Sequence, residues 1–331
     1  MRIAIDIMSG DMGPLSNLEG AIQALRECPE LQVCLCGDKA LMESFLESHS
    51  EFLGRISLHH SPIGVHSDLK PSAILRSPQI TSLHSAIDLL MNKAATALVS
   101  SANTGAYMAL CLKLLRMKPN LKRPAIGKIL PSLDAKSYTQ NVLTLDLGAN
   151  IECSTDMMLQ FASMGIEYCQ THFHLRNPRV AVLNIGTESN KGTPVLQEVY
   201  SNLKERTDID FIGFIEGDKL LQGVADLVVC DGFHGNIALK TLEGTIKAVY
   251  MALRNSIQTA SIFERLIGLF LKRQIKKTLG MRFNPKRYNG ALFMGLSNDF
   301  VVKSHGNADS ISFFFSIKNT YDLLIKNDLQ K

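Results

Sequence analysis

The stretch DLVVCDGFHGNIALK, residues 226–240, carries the architecture in miniature. The apolar run from Leu227 to Cys230 reads as a strand buried on both faces. Two glycines then bracket a polar turn, and segment 234–256, with its apolar pattern from Ile237, is long enough to be the helix that follows. A strand that leads through a glycine-bearing turn into a helix is the unit of a parallel sheet covered by crossover helices. The same unit recurs outward from here. Short β-branched runs stand at IAIDIM (3–8), QVCLCG (32–37), ALVS (97–100), VLTLDLG (142–148), RVAVLNIG (179–186) and DFIGFIEG (210–217), with segments 16–27, 80–93 and 155–174 long enough to be the helices between them. The chain is expected to be α/β, a three-layer and mostly parallel sheet. No repeat or linker divides it, so the expectation is a single domain over 1–331 with two lobes.

Composition narrows the function classes. With 46% hydrophobic and 20% charged residues in 331, the chain can bury a sizeable core, which excludes a disordered or fibrous protein. Thirty-five basic against 31 acidic residues leave +4, too little for a dedicated nucleic-acid binder. The seven cysteines form no CxxC pair, so neither a zinc ribbon nor a disulfide framework is read, and a cytoplasmic location is expected. No run approaches the 18 apolar residues of a membrane span.

Polar residues and glycines gather where the expected strands end. Ligands of open α/β sheets bind at the carboxyl ends of strands, where helix N-termini present free N–H groups, so these turns are expected to share one site. Asp6 precedes Gly10-Asp11. Asn103, Thr104 and Gly105 follow ALVS and open a helical pattern, fitting an anion site or a plain N-cap. Gly186 to Gly192 places Lys191 on a glycine-bounded turn, where a cation is either solvated or an oxyanion partner. Asp231, Gly235 and Asn236 make the strongest of these signals, with Asn236 where a helix would present its amides. Asp231 also suits a cap, and nothing in the sequence pairs His234 with a carboxylate.

Other chemistries lack their patterns. GxGxxG, GxSxG and HExxH are missing, and His59-His60 and His172-Phe173-His174 lack the spacing of helical metal ligands, so neither metal nor cofactor is read. Asp146-Leu147-Gly148-Ala149-Asn150 approaches the DxGxT turn of actin-like ATPases and keeps a sugar or acetate kinase as a rival. A separate feature is the basic, apolar segment at about 256–287. Phe263, Leu266, Ile267 and Phe270 fall on one side of a helical wheel, and Lys272, Arg273, Lys276 and Lys277 are among eight cations in 265–287 with no acidic residue. That pairing suits an anionic bilayer surface, an acidic protein, or core or dimer packing, and its few aromatics disfavour nucleic acid.

Read in order, IDIMSGDMGP (5–14), KPSAILR (70–76), ALVSSANTGA (97–106), RPAI (123–126), LDLGAN (145–150), NIGTESNKG (184–192), FIGFIEGD (211–218), VVCDGFHGNIALK (228–240) and VKSHG (302–306) resemble the bacterial phosphate acyltransferase of phospholipid synthesis. Each piece is weak, but nine in order are specific. The resemblance implies a fold like isocitrate and isopropylmalate dehydrogenase, a homodimer, and acyl transfer from acyl carrier protein to inorganic phosphate. The acyl phosphate would pass to a membrane glycerol-3-phosphate acyltransferase, with the protein peripheral to the cytoplasmic membrane. It also implies active-site roles for Lys191 and Asn236. Alternatives are a phosphotransacetylase acting on coenzyme A thioesters and a non-catalytic membrane adaptor. Ser9 and Ala102 stand where the family has glycine and Met12 where it has His or a similar residue, which predicts a narrowed anion site or a strained backbone there.

Overall fold

The computed structural model describes residues 1–66, 68–133, 141–259, 285–298 and 300–328. The basic segment falls almost wholly outside these, including Phe263, Leu266, Ile267, Phe270, Lys272, Arg273, Lys276 and Lys277. Eleven strands form one sheet: β1 (Arg2–Asp6), β2 (Gln32–Gly37), β3 (Ile56–His60), β4 (Ala97–Ser100), β5 (Ala125–Pro131), β6 (Asn141–Leu145), β7 (Arg179–Leu183), β8 (Asp210–Ile215), β9 (Leu227–Val229), β10 (Ala291–Met294) and β11 (Val301–Lys303), in spatial order β3-β2-β1-β4-β11-β10-β5-β6-β9-β7-β8. Seven of its ten ladders are parallel. The three antiparallel ladders, β11/β10, β10/β5 and β5/β6, lie together at the centre.

Helices α1 (Gly13–Glu27), α2 (Lys39–Leu46), α6 (Thr155–His172), α7 (Pro194–Lys204) and α9 (Ser310–Asp328) pack their apolar stripes on one face, around Ile3, Val99, Leu143 and Val182. Helices α3 (Pro71–Arg76), α4 (Ser82–Met91), α5 (Thr104–Leu114) and α8 (Gly232–Thr259) cover the other, around Leu98, Ile126, Val228 and Val301. The three-layer, mostly parallel sheet is as the sequence implies. Starts of helices are set locally: Asp38, Asn103, Ser154 and Thr193 each accept an amide hydrogen bond as N-cap, and Thr81 and His84 close a reciprocal capping box.

The reversal at the centre corrects one expectation. Strands β3, β2, β1, β4 and β11 point one way and β6, β9, β7 and β8 the other, so their carboxyl ends open on opposite edges of the sheet. Five strand spacings separate β4 from β9, about 24 Å at ~4.8 Å each along the sheet. The turns therefore form two clusters rather than one.

Candidate active site

The first cluster is built on Asp6. Its carboxylate, fully buried at the end of β1, accepts the Ser82 hydroxyl at 2.5 Å and the Ser100 hydroxyl at 2.6 Å. Burial pushes its pKa up against these hydrogen bonds, so Asp6 organises the strand ends and does not face solvent. Next to it Gly10 (φ 95°) brings its Cα so close to Ser101 that a Cβ would lie 2.5 Å from Oγ. The Asp11 amide donates to the Gly306 carbonyl at 2.7 Å. Asn103 caps α5 through the Ala106 amide at 3.0 Å, leaving Thr104 and Gly105 exposed on its first turn. Gly105 is also where α3 touches α5, since a Cβ there would lie 2.8 Å from Pro71.

Ser9 and Ala102 do not behave as their departure from glycine predicted. Neither has positive φ, and both are fully buried. The Ser9 hydroxyl accepts the Val65 amide at 2.9 Å, so the extra side chain is turned into the loop packing and away from the surface. Met12 is exposed.

The second cluster surrounds Asp146 and α8. Buried Asp146 accepts the amides of Ile126 (2.8 Å), Ala149 (3.1 Å) and Asn150 (2.8 Å) and the Asn150 side chain (2.9 Å). All of its acceptor capacity is spent on the turn, and burial raises its pKa. It is not the exposed carboxylate a kinase of the DxGxT type needs. Gly235 packs α8 onto this turn, where a Cβ would lie 2.6 Å from Cys230 Sγ and closer still to the Asp146 carbonyl. Asn236 is exposed at the start of the second turn of α8, with its side chain against Gly148. Asp231 accepts the His234 amide at 2.8 Å and meets the ring Nδ1 at 2.7 Å, so His234 has the carboxylate partner that the sequence did not reveal.

Lys191 is exposed on the β7 turn, among the described residues without an ion pair. The turn is folded by Asn184, whose Nδ2 donates to the Lys191 carbonyl at 3.2 Å, and by Gly192 at φ 83°. Gly186 is buried beneath Lys191, whose Cγ would be 3.3 Å from a Cβ there. The structure thus unites Asn236 with the Asp146 turn, and Asp6 with the loop of Asn103 to Gly105. It does not place Lys191 in contact with that loop.

A track of charged side chains joins the clusters. Asn236, Lys240 and Glu243 fall at i, i+4 and i+7 on one stripe of α8. Glu243 accepts Lys240 at 2.9 Å and Lys128 of β5 at 2.8 Å, and lies 3.6 Å from His305 beyond β11. Lys128 is 6% exposed, and burial lowers its pKa despite the carboxylate. For Glu243, burial would raise the pKa, but Lys128 and Lys240 prevail and hold it at about 2. His305 is lowered to about 4 by burial and by the Lys128 ammonium, so it is neutral at pH 7. Past the Lys128–Glu243 pair runs an apolar crevice lined by Leu130, Leu221, Leu239, Leu242 and Ile246.

Sequence reasoning passed over Lys128, Glu243, Lys303 and His305. The available signal was a lysine inside the apolar run AIGKIL, which implies a buried charge in need of a partner.

A profile described as fatty acid synthesis protein matches residues 1–331. The chain belongs to that family. It is 41% identical over 312 residues to the phosphate acyltransferase of Vibrio campbellii, covering 93% of this chain and 89% of the relative, and it is an acyltransferase. Among solved structures, a branched-chain phosphotransacylase from Enterococcus faecalis superposes with a TM-score of 0.59 at 13% identity, over 98% of this chain and 99% of that one. A 4-hydroxythreonine-4-phosphate dehydrogenase from Burkholderia phymatum gives 0.51 at 13% identity, over 97% and 98%. These likenesses place the acyltransferase in a fold shared by acyl-transfer and dehydrogenase enzymes, and the fold alone assigns no chemistry.

Proposed function

We propose that the chain transfers a fatty acyl group from acyl carrier protein to inorganic phosphate, giving acyl phosphate for phosphatidic acid synthesis. The observation that carries this reading is Asn236, exposed near the start of α8 at the head of a stripe that leads through Lys240 and Glu243 to His305 beyond β11. Full-length similarity to phosphate acyltransferases supports it.

Phosphate is anionic near neutral pH and needs no strong base to attack a thioester, so holding and aligning it is the main task. Asn103, Thr104 and Gly105 hold a phosphate group at the first cluster, and the phosphate that attacks is held beside Asn236 at the second. One of its oxygens adds to the carbonyl carbon to give a tetrahedral oxyanion, whose collapse re-forms the carbonyl and breaks the carbon–sulfur bond. The electron pair leaves on sulfur, and the thiolate takes a proton from solvent. Lys191 and Asn236 donate to the oxyanion of the tetrahedral intermediate.

Acyl carrier protein is acidic and is drawn to a basic face. The segment 256–287 serves it or an anionic membrane surface, with the chain acting as a peripheral homodimer that hands its product to a glycerol-3-phosphate acyltransferase. The deciding assay follows free thiol released from acyl-acyl carrier protein with and without phosphate, with phosphorus NMR detecting the acyl phosphate. Release only with phosphate is expected, faster than from acyl-coenzyme A. No phosphate-dependent release would overturn the reading.

A further inference from the structure

We propose that Phe233 and Ile237 of α8 contact the fatty acyl chain of the donor and set a preference for long chains over short ones. This rests on the acyl-transfer reading and deepens it at the Asn236 end of the site.

The sequence of α8 departs from the usual amphipathic pattern. Gly235, Leu239 and Leu242 form the stripe that packs toward the sheet. At about 3.6 residues per turn, Phe233 and Ile237 fall one turn apart on the opposite side, where a surface helix carries polar residues. Both are large and apolar, and they are 51% and 52% exposed. Asn236 and Lys240, at i+3 and i+7 from Phe233, share this outward side.

Neighbouring turns add to the patch. The Gly232 amide donates to the Asn150 carbonyl at 2.7 Å, which sets Ile151, 69% exposed, next to the start of α8. On the other flank of β9 runs β7, with Val182 in register with Val229, and its turn carries Ile185, 76% exposed. The ends of β6, β9 and β7 are consecutive along the sheet, so exposed apolar side chains of three turns gather at the edge where Asn236 stands. Apolar surface concentrated in this way marks a ligand or partner site.

Its place beside Asn236 selects the occupant. In acyl transfer the carbonyl carbon whose oxyanion Asn236 holds is bonded directly to the acyl chain, so the first methylenes emerge against Phe233 and Ile237. A second copy of this chain is a poorer fit. It would bury the Lys240 ammonium, which stands in the same outward sector, and the next exposed large apolar residues of α8, Val249 and Met251, begin about 18 Å further along the helix. Each methylene that leaves water for an apolar contact strengthens binding about fourfold.

The test uses the full chain, the double variant Phe233→Ser/Ile237→Ser, and Ile151→Ser as a second variant on a separate turn. Butylphosphonate and decylphosphonate, non-reacting mimics of an acyl phosphate, are titrated calorimetrically, so chain binding is read without donor or turnover. Wild type is expected to bind decylphosphonate at least about 10-fold more tightly than butylphosphonate. The double variant should lose about 10–100-fold for decylphosphonate while keeping its affinity for butylphosphonate and the wild-type melting temperature, and Ile151→Ser should lose a smaller factor. A chain that fails to transfer acyl groups from acyl carrier protein to phosphate would still show this preference, which separates the two readings. Equal affinity of wild type for both phosphonates, or a double variant that keeps the wild-type preference, would overturn the proposal. A kept preference together with a lower sedimentation coefficient would assign the face to a second copy of the chain instead.

Discussion

The carboxylate of Glu243 on α8 lies 2.8 Å from the ammonium of Lys128 on β5, a lysine in the antiparallel centre of an otherwise parallel sheet. This pair fastens the helix that carries Asn236 to the strands where the sheet reverses direction. Glu243→Gln leaves Lys128 buried with its charge uncompensated and should cost on the order of 3 kcal/mol. Urea denaturation of Glu243→Gln, Lys128→Met and the double variant measures the coupling. The double variant is expected to recover most of the loss, and strict additivity would mean the pair is not energetically linked.

Acid stability follows from the same groups. His305 falls from 6.5 to about 4 on folding, so the unfolded chain binds its proton first as pH drops, and folding loses stability across that interval. Glu243 falls from 4.5 to about 2, so its contribution is intact above 4.5 and is lost as pH falls toward 2. The urea midpoint should decline from about pH 6.5 downward. Glu243→Gln should flatten the lower part of that decline.

Lys303 acts at the other end of the scale. Its folded value of about 8 lies below the ordinary 10.5, so the folded state gives up the proton first as pH rises. The cost of burying the charge is full below 8 and is relieved between 8 and 10.5, making stability rise with pH through that window. Comparing wild type with Lys303→Met by chemical denaturation at pH 7 and pH 10 isolates this contribution, which should vanish in the variant.

Asn236 and Lys191 are exposed and carry little of the packing. Asn236→Ala and Lys191→Ala should keep the wild-type melting temperature and lose about 10²–10³ in turnover, the usual effect of removing an oxyanion donor. Acyl phosphate formation at the wild-type rate in both would remove them from the chemistry.

Gly235 gives a contrasting case. A methyl group there collides with Cys230 Sγ and the Asp146 carbonyl, and backbone on that side has no room to yield. Gly235→Ala should lower the melting temperature and displace Asn236, reducing turnover together with stability.

The sequence by itself determined the class of fold and most strand–turn–helix units. QVCLCG and ALVS are strands over the very residues expected, and the helices expected at 155–174 and 234–256 form at Thr155–His172 and Gly232–Thr259. Buried strands and capped helices announce themselves through local periodicity and turn residues. It did not reveal β3, β5, β10 or β11: AIGKILP of β5 carries a glycine, a lysine and a proline, ISLHH of β3 is half polar, and ALFM of β10 and VVK of β11 are only four and three residues long, and of these β5 and β10 run antiparallel to both neighbours. Those two strands are what turn the sheet around, and so divide the expected single site into two edges joined by α8. The pairings of Lys128 with Glu243 and of Lys303 with Ser100 span 115 and 203 residues of chain, and His234 with Asp231 depends on a turn geometry that spacing alone leaves open. Only tertiary structure decided them, because the direction of a strand and the partner of a buried charge are fixed by the neighbours that surround them in space.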